Sequence, residues 1–176
     1  MLAKLKHVLD RMLELLVTVA MAVLVLDVVW QVASRYILKN PSSWSEELAT
    51  FLMIWVGLLG GSVALNRGAH LGIDYLVAKF PPKIYLLSAL FGFAVTAIFS
   101  LLVMVIGGVE LVVRTLATQQ VSAALGWKMG YVYLAIPISG FFLVLYSAEI
   151  FIETLAAMSS GKRIRFQSGS ASAGID

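Results

Sequence analysis

The sequence predicts an all-α integral membrane protein with four transmembrane helices. Of its 176 residues, 60% are hydrophobic and only 13% are charged, which leaves too few polar residues to cover a soluble domain of this size. Apolar runs cover residues 15–34, 48–66, 84–109 and 129–148. Each run is close to the roughly 20 residues that a helix needs to cross a bilayer. The charges gather in the connections and at the chain ends, as membrane topology requires.

The same runs predict the domain organisation. We expect one membrane domain over residues 1–158, followed by a flexible cytoplasmic tail over residues 159–176, which is rich in Ser, Gly and basic residues. With a turn added at their flanks, the predicted spans cover residues 13–35, 46–66, 84–110 and 129–152.

The distribution of basic residues predicts the orientation. Nine of the 13 Lys and Arg residues lie in the N-terminal segment, the second connection and the C-terminal end, and four lie in the other two connections. Because basic residues are retained on the cytoplasmic side, both termini should be cytoplasmic. Residues 36–43 and 115–128 should then form two outer loops.

Two segments carry weaker helical patterns. Near the N-terminus, Leu2, Leu5 and Leu9 recur at helical spacing with basic residues on the other faces. This pattern fits either an amphipathic helix on the inner membrane surface or a cytoplasmic extension of the first span. Between the second and third spans, residues 73–80 mix apolar, aromatic and basic types and predict a short interfacial helix.

Composition and motifs exclude several classes of function. The chain has no cysteine, which excludes disulfides, thiol redox chemistry and thiolate metal sites. It has no nucleophile paired with an intramembrane histidine, no Gly-rich phosphate loop and no H-E-x-x-H motif. The net charge of +3 is small and dispersed, unlike the basic face of a nucleic-acid-binding protein. We therefore expect no enzyme activity, catalytic or substrate-binding residue, metal site, cofactor or nucleic-acid partner.

Asp27 is the one acid well inside a predicted span. Gln31 and Arg35 follow at i+4 and i+8, so the three are predicted to share a stripe that faces protein rather than lipid. The stripe could be an ion or proton site, or a structural polar contact within the bundle or with another subunit. We treat all three as candidates for subunit packing.

Small residues and a proline mark two further positions. Gly57 and Gly61 form a G-x-x-x-G pair, which permits close approach of another helix, either in this chain or in a partner. Pro137 should kink or loosen the fourth span.

The segment before the second span has two interpretations. Ser43 and Glu46 are spaced as a capping box, which would satisfy orphan amides at the helix start. The segment could instead be part of a docking surface on the outer side. The docking candidates, taken from both outer loops and their flanks, are Lys39, Ser42, Ser43, Glu46, Arg114, Gln119, Gln120 and Lys128.

Three segments, in this order, resemble the small membrane subunit of tripartite ATP-independent periplasmic (TRAP) transporters, the DctQ-like family. They are SWSEELA at residues 43–49, RGAHLGID at 67–74 and SAALGWKMGYVYLAIP at 122–137. The resemblance covers roughly residues 10–155, and it departs from the family at Ala123, where a proline is common.

The resemblance implies a function and partners. In such systems a soluble periplasmic protein captures an organic anion, and a large multi-span subunit carries it across the bacterial inner membrane, driven by a sodium gradient. Typical substrates are carboxylates, such as C4-dicarboxylates, sialic acids and other sugar acids. The small subunit is a scaffold partner, and the substrate and sodium sites lie in the large subunit.

Two alternatives remain open from the residues alone. One is a self-sufficient, homodimeric, proton-coupled carrier that uses Asp27. The other is a membrane assembly or anchoring protein with no role in transport.

Overall fold

The computed structural model describes residues 2–40, 42–67 and 82–160, and these form long helices joined by short connections. Four helical stretches are long and apolar enough to cross a membrane, which confirms the predicted four-span, all-α fold. These stretches are Lys6–Tyr36, Ser43–Asn66, Leu87–Ala117 and Met129–Ala156. The helices are α1 (Leu2–Tyr36), α2 (Ser43–Asn66), α3 (Pro82–Phe99), a π-helical segment (Ser100–Gly107), α4 (Gly108–Ala117), α5 (Met129–Tyr133) and α6 (Ala135–Ser160).

The N-terminal segment is an extension of the first span. Helix α1 runs without a break over 35 residues and contains neither Gly nor Pro. It ends at Tyr36, and the chain then turns back: Lys39 takes a left-handed backbone with φ of 52°, and the Asn40 amide donates to the Ser34 carbonyl. The predicted interfacial helix at residues 73–80 and the tail beyond residue 160 lie outside the described residues.

The four spans lie side by side in an open row. Within the described part of the chain, α1 packs against α2, and α6 lies between α2 and the third span, which is built from α3, the π-helical segment and α4. The order across the row is therefore first, second, fourth and third. The first and third spans form its edges, and large apolar side chains on them are exposed, including Leu26 at 69% and Phe91 at 72%.

The hydrophobic core lies in the half of the row that is nearest to the start of α1. It is a cluster of Leu13, Leu59, Leu65, Phe93 and Tyr146, so each of the four spans contributes to it. Polar pairs between helices hold the same half: an ion pair of Lys6 with Glu149, an ion pair of Arg67 with Glu14 at 2.9 Å, and a hydrogen bond from the Tyr146 hydroxyl to Asp10 at 2.6 Å.

The fourth span is interrupted one turn before its proline. Helix α5 ends at Tyr133 and α6 begins at Ala135. Pro137 has no N–H, so the carbonyl of Tyr133 loses the partner that a regular helix would supply. The predicted loosening of this span therefore occurs at residue 134.

Glycines bring the third and fourth spans close together. A Cβ added at Gly140 would lie 2.6 Å from the Cβ of Met104 and 3.2 Å from its backbone carbonyl carbon. A Cβ at Gly108 would lie 3.0–3.2 Å from atoms of Ile136 and Pro137, and one at Gly130 would lie 2.5 Å from Leu116. Close backbone approach through small residues is the main way in which helices associate in lipid.

Candidate functional site

A seam on α1 carries the intramembrane acid. From Leu13 to Ser34, most of the buried and half-buried side chains on this helix recur alternately four and three residues apart, which is the 3.5-residue spacing of knobs-into-holes packing. Since α2 is the helix packed against α1, this seam faces α2. Its members are Leu13, Val17, Ala20, Leu24, Asp27, Gln31 and Ser34.

Asp27 is buried in this seam, and its side chain is not paired with Arg35. Its exposed fraction is 7%, and its Oδ2 atom has no hydrogen-bond partner among residues 2–40, 42–67 and 82–160. Arg35 is exposed, and its Nη2 lies 3.3 Å from Oε1 of Glu46 at the start of α2. The i+8 position leaves the seam because the seam repeats every seven residues, which places Ser34 on it instead.

The G-x-x-x-G face of α2 is not covered by any helix of the described residues. Gly57 and Gly61 are exposed, and in the described structure no atom lies within 4 Å of a Cβ added at either position. The pair is therefore not used for packing among the described helices. A groove between α1 and α2 is lined by Val17, Met21, Val25 and Val56, and neither glycine lines it.

The docking candidates lie at the opposite end of the row from the core. The connection between α1 and α2 and the loop of residues 118–128 meet there, because Glu47 of α2 contacts that loop. Aromatic side chains typical of a membrane–water interface are exposed at this end: Tyr36, Trp44, Trp127 and Tyr131. All the docking candidates are exposed except Ser42, which is half-buried. Arg114 is paired with Glu110 one turn earlier on α4.

The start of α2 does not form the expected capping box. Ser42, not Ser43, is the N-cap residue, and its side chain makes no capping hydrogen bond. Its hydroxyl lies 2.6 Å from the hydroxyl of Ser45, which also donates to the Ser42 carbonyl. Glu46 pairs with Arg35, so it does not reach back to the helix start.

Glu47 has a role that the sequence pattern did not indicate. Its carboxylate accepts hydrogen bonds from three successive backbone amides, those of Ala123, Ala124 and Leu125, at 3.0, 2.9 and 2.7 Å. Every residue except proline carries a backbone amide, so nothing in the loop's side chains marks it as the partner of an acid 76 residues away.

These features define a small multi-pass membrane protein with open helix faces and one structured loop end. The family model described as "Tripartite ATP-independent periplasmic transporters, DctQ component" matches residues 24–157. The chain therefore belongs to the DctQ family, which confirms the resemblance found in its sequence. The family is one component of a tripartite transporter.

Similar curated proteins are transporter permease subunits and not enzymes. The chain is 27% identical over 148 residues to the sialic acid TRAP transporter small permease protein SiaQ of Vibrio cholerae, which covers 84% of each protein. It is 29% identical over 96 residues, 54% of this chain and 41% of the relative, to the C4-dicarboxylate TRAP transporter small permease protein DctQ of Vibrio cholerae. It is also 46% identical over 54 residues to the sialic acid TRAP transporter permease protein SiaT of Haemophilus influenzae, a match of 31% of this chain and 9% of that permease.

Proposed function

We propose that this chain is the scaffold partner of a large membrane subunit in the sodium-driven, binding-protein-dependent uptake of an organic anion. The observation that supports this proposal best is the open row of spans with exposed apolar edges. A row has two edges and two faces on which a larger helical protein can pack, and apolar side chains together with the Gly57 and Gly61 face suit such packing.

One relative supports a close association with a larger permease. The 54 residues that match SiaT make up only 9% of that protein, so a segment similar to this chain belongs to a permease several times longer than it. A covalent link keeps two protein segments at a high effective concentration relative to each other. We propose that in this system the same association is held by non-covalent helix packing.

The proposed substrate is a carboxylate. The relatives named above are described as transporting sialic acid or C4-dicarboxylates, and both are organic anions with carboxylate groups. We propose a C4-dicarboxylate, a sialic acid or another sugar acid, bound in the large subunit and not by this chain. The periplasmic binding protein would meet the loop end, where Lys39, Gln120 and Lys128 are exposed.

The proposed orientation predicts a labelling pattern. The chain has no cysteine, so single cysteines can be introduced without background labelling. Ser43 and Gln120 are exposed at the loop end, and His7 is exposed at the opposite end. With both termini cytoplasmic, an impermeant maleimide should label Ser43→Cys and Gln120→Cys in intact cells, and His7→Cys only after permeabilisation. The reverse pattern would overturn the orientation.

Reconstitution tests the transport proposal directly. Proteoliposomes should contain this chain, its large subunit and the binding protein under an inward sodium gradient without ATP, with sialic acid or a C4-dicarboxylate as labelled substrate. We expect accumulation only when all three proteins are present, because a scaffold acts through its partner.

Leaving out one component at a time separates the alternatives. Uptake by this chain alone would support the homodimeric carrier. Full uptake without this chain would support an anchoring protein with no transport role. Uptake that persists after the sodium gradient is replaced by a proton gradient would contradict sodium coupling.

A further inference from the structure

The loop at residues 120–128 is held in one shape by its own backbone. The Ser122 amide donates to the Trp127 carbonyl at 2.8 Å, and the Gly126 amide donates to the Ser122 carbonyl at 3.2 Å. The Ser122 hydroxyl also accepts the Trp127 amide at 3.1 Å. Gly126 takes φ of +67°, which suits glycine, and allows the chain to reverse here.

The apex of this loop has little side-chain packing. Ala123 and Ala124 are small and exposed, and Leu125 is only half-buried. The amides of these three residues instead converge on the Glu47 carboxylate, with one bond to Oε1 and two to Oε2. Successive amides in a turn form a concave anion-binding nest, and charge-assisted bonds of this kind are about twice as strong as neutral ones.

We infer that Glu47 is a positioning residue that fixes the outer loop to the start of α2. The loop and the connection between α1 and α2 then form one rigid surface, which presents Gln120 and Lys128 to the binding protein. The loop and the start of α2 lie far apart in the sequence and belong to different spans, so only non-covalent contacts can hold them together. The three amide bonds tie the loop apex to α2. A pre-ordered surface loses less conformational entropy when a partner binds. This role rests on the proposed function, since it assumes that a binding protein docks at this end.

Glu46 provides a matched control for this inference. It is the neighbouring acid in the same helix turn, and its exposed side chain pairs with Arg35 on α1 at 3.3 Å instead of contacting the loop. Changing either acid to glutamine removes one negative charge at nearly the same place. A difference in amide exchange at residues 123–125 between Glu47→Gln and Glu46→Gln therefore reports the loop contacts of the Glu47 carboxylate and not the net charge of the surface.

Hydrogen exchange tests the contact itself. The complex with the large subunit is reconstituted in lipid nanodiscs, and the exchange of the amides at residues 123–125 is followed by mass spectrometry. Glu47→Gln should speed their exchange by about tenfold or more, because a glutamine has a single acceptor oxygen and its NH₂ group opposes an amide donor. Glu46→Gln should leave exchange at residues 123–125 unchanged. Equal exchange in the two variants would overturn the positioning role.

Transport kinetics test the consequence. In proteoliposomes titrated with loaded binding protein, Glu47→Gln should raise the apparent KM for that protein by about threefold or more and leave kcat within about twofold. A residue that only stabilised the fold would lower the amount of assembled complex and hence the maximum rate. If Glu47→Gln speeds exchange at residues 123–125 but leaves the KM for the binding protein unchanged, the docking role is overturned. The contact between Glu47 and the loop would still stand.

A shorter acid at this position provides a second test if the Glu47→Gln variant does not assemble with the large subunit. Glu47→Asp keeps the charge and withdraws the carboxylate by one methylene, so exchange and KM should fall between wild type and the values expected for glutamine. Wild-type values for Glu47→Asp would overturn the inference, since the reach of the carboxylate would then not matter. If the wild-type complex itself takes up no substrate, the proposed function fails, and the exchange measurement still decides whether Glu47 positions the loop.

Discussion

Replacing Gly140 by alanine is expected to destabilise the chain by about 1–3 kcal/mol, whereas the same change at Gly57 should have almost no effect on the isolated chain. The added methyl at Gly140 would lie 2.6 Å from the Met104 Cβ and 3.2 Å from a Met104 backbone atom. Backbone cannot move aside as a flexible side chain can, so the third and fourth spans would have to separate. At Gly57 the methyl would meet no atom of the described chain within 4 Å.

The comparison of these two variants measures packing, because both change glycine to alanine within an apolar span. Unfolding of the purified chain in mixed detergent micelles, followed by circular dichroism, gives the free energy of unfolding of each. Similar values for the two variants would contradict the close approach at Gly140. In the complex, Gly57→Ala has a second use: weaker association with the large subunit would indicate that the partner packs on the Gly57 and Gly61 face.

The positions of the spans were predictable from the sequence because the lipid bilayer determines them. A bilayer about 30 Å thick requires long apolar helices whatever they pack against, so the hydropathy of each run was sufficient to locate it. The continuity of the helix from Leu2 was not predictable, since the first residues suit an interfacial helix as well as an extension of the first span.

Helix partners were less predictable than helix positions. The G-x-x-x-G spacing of Gly57 and Gly61 predicts a small face, but spacing alone does not say which helix covers it. Gly140, where an added Cβ would meet the backbone of Met104, has no such partner in the sequence pattern. Its role depends on Met104, which lies on a different span and in a π-helical segment that no local sequence signal indicated.

The polar contacts at the loop end were also not predictable from local sequence patterns. The family-like segments at residues 43–49 and 122–137 were both identified in the sequence, and the structure joins them through Glu47. The sequence pattern favours Glu46 instead, because a capping box is a local pattern that a sequence can display. A carboxylate that binds backbone amides across 76 positions of the chain leaves no local pattern to find.

Replacing Asp27 by leucine is expected to preserve uptake by the full complex and to raise the stability of the chain. Asp27 is 7% exposed and lies on the seam between α1 and α2, and one of its carboxylate oxygens has no hydrogen-bond partner in the described chain. A buried polar group without a partner costs about 1–3 kcal/mol, and an apolar residue of similar volume removes that cost. The free energy of unfolding in detergent micelles should therefore increase.

Substitutions of Asp27 also distinguish a scaffold from a proton-coupled carrier. Asp27→Asn keeps the shape of the side chain but cannot ionise, and Asp27→Leu removes both the charge and the polarity. If Asp27 has a structural role, both variants should assemble with the large subunit and accumulate substrate at rates near that of the wild type. If Asp27 carries the coupling proton, both should assemble normally and lose uptake, because neither side chain can exchange a proton. Loss of uptake with intact assembly would therefore favour the carrier, and retention of uptake in both variants would leave Asp27 as a packing residue of the first span.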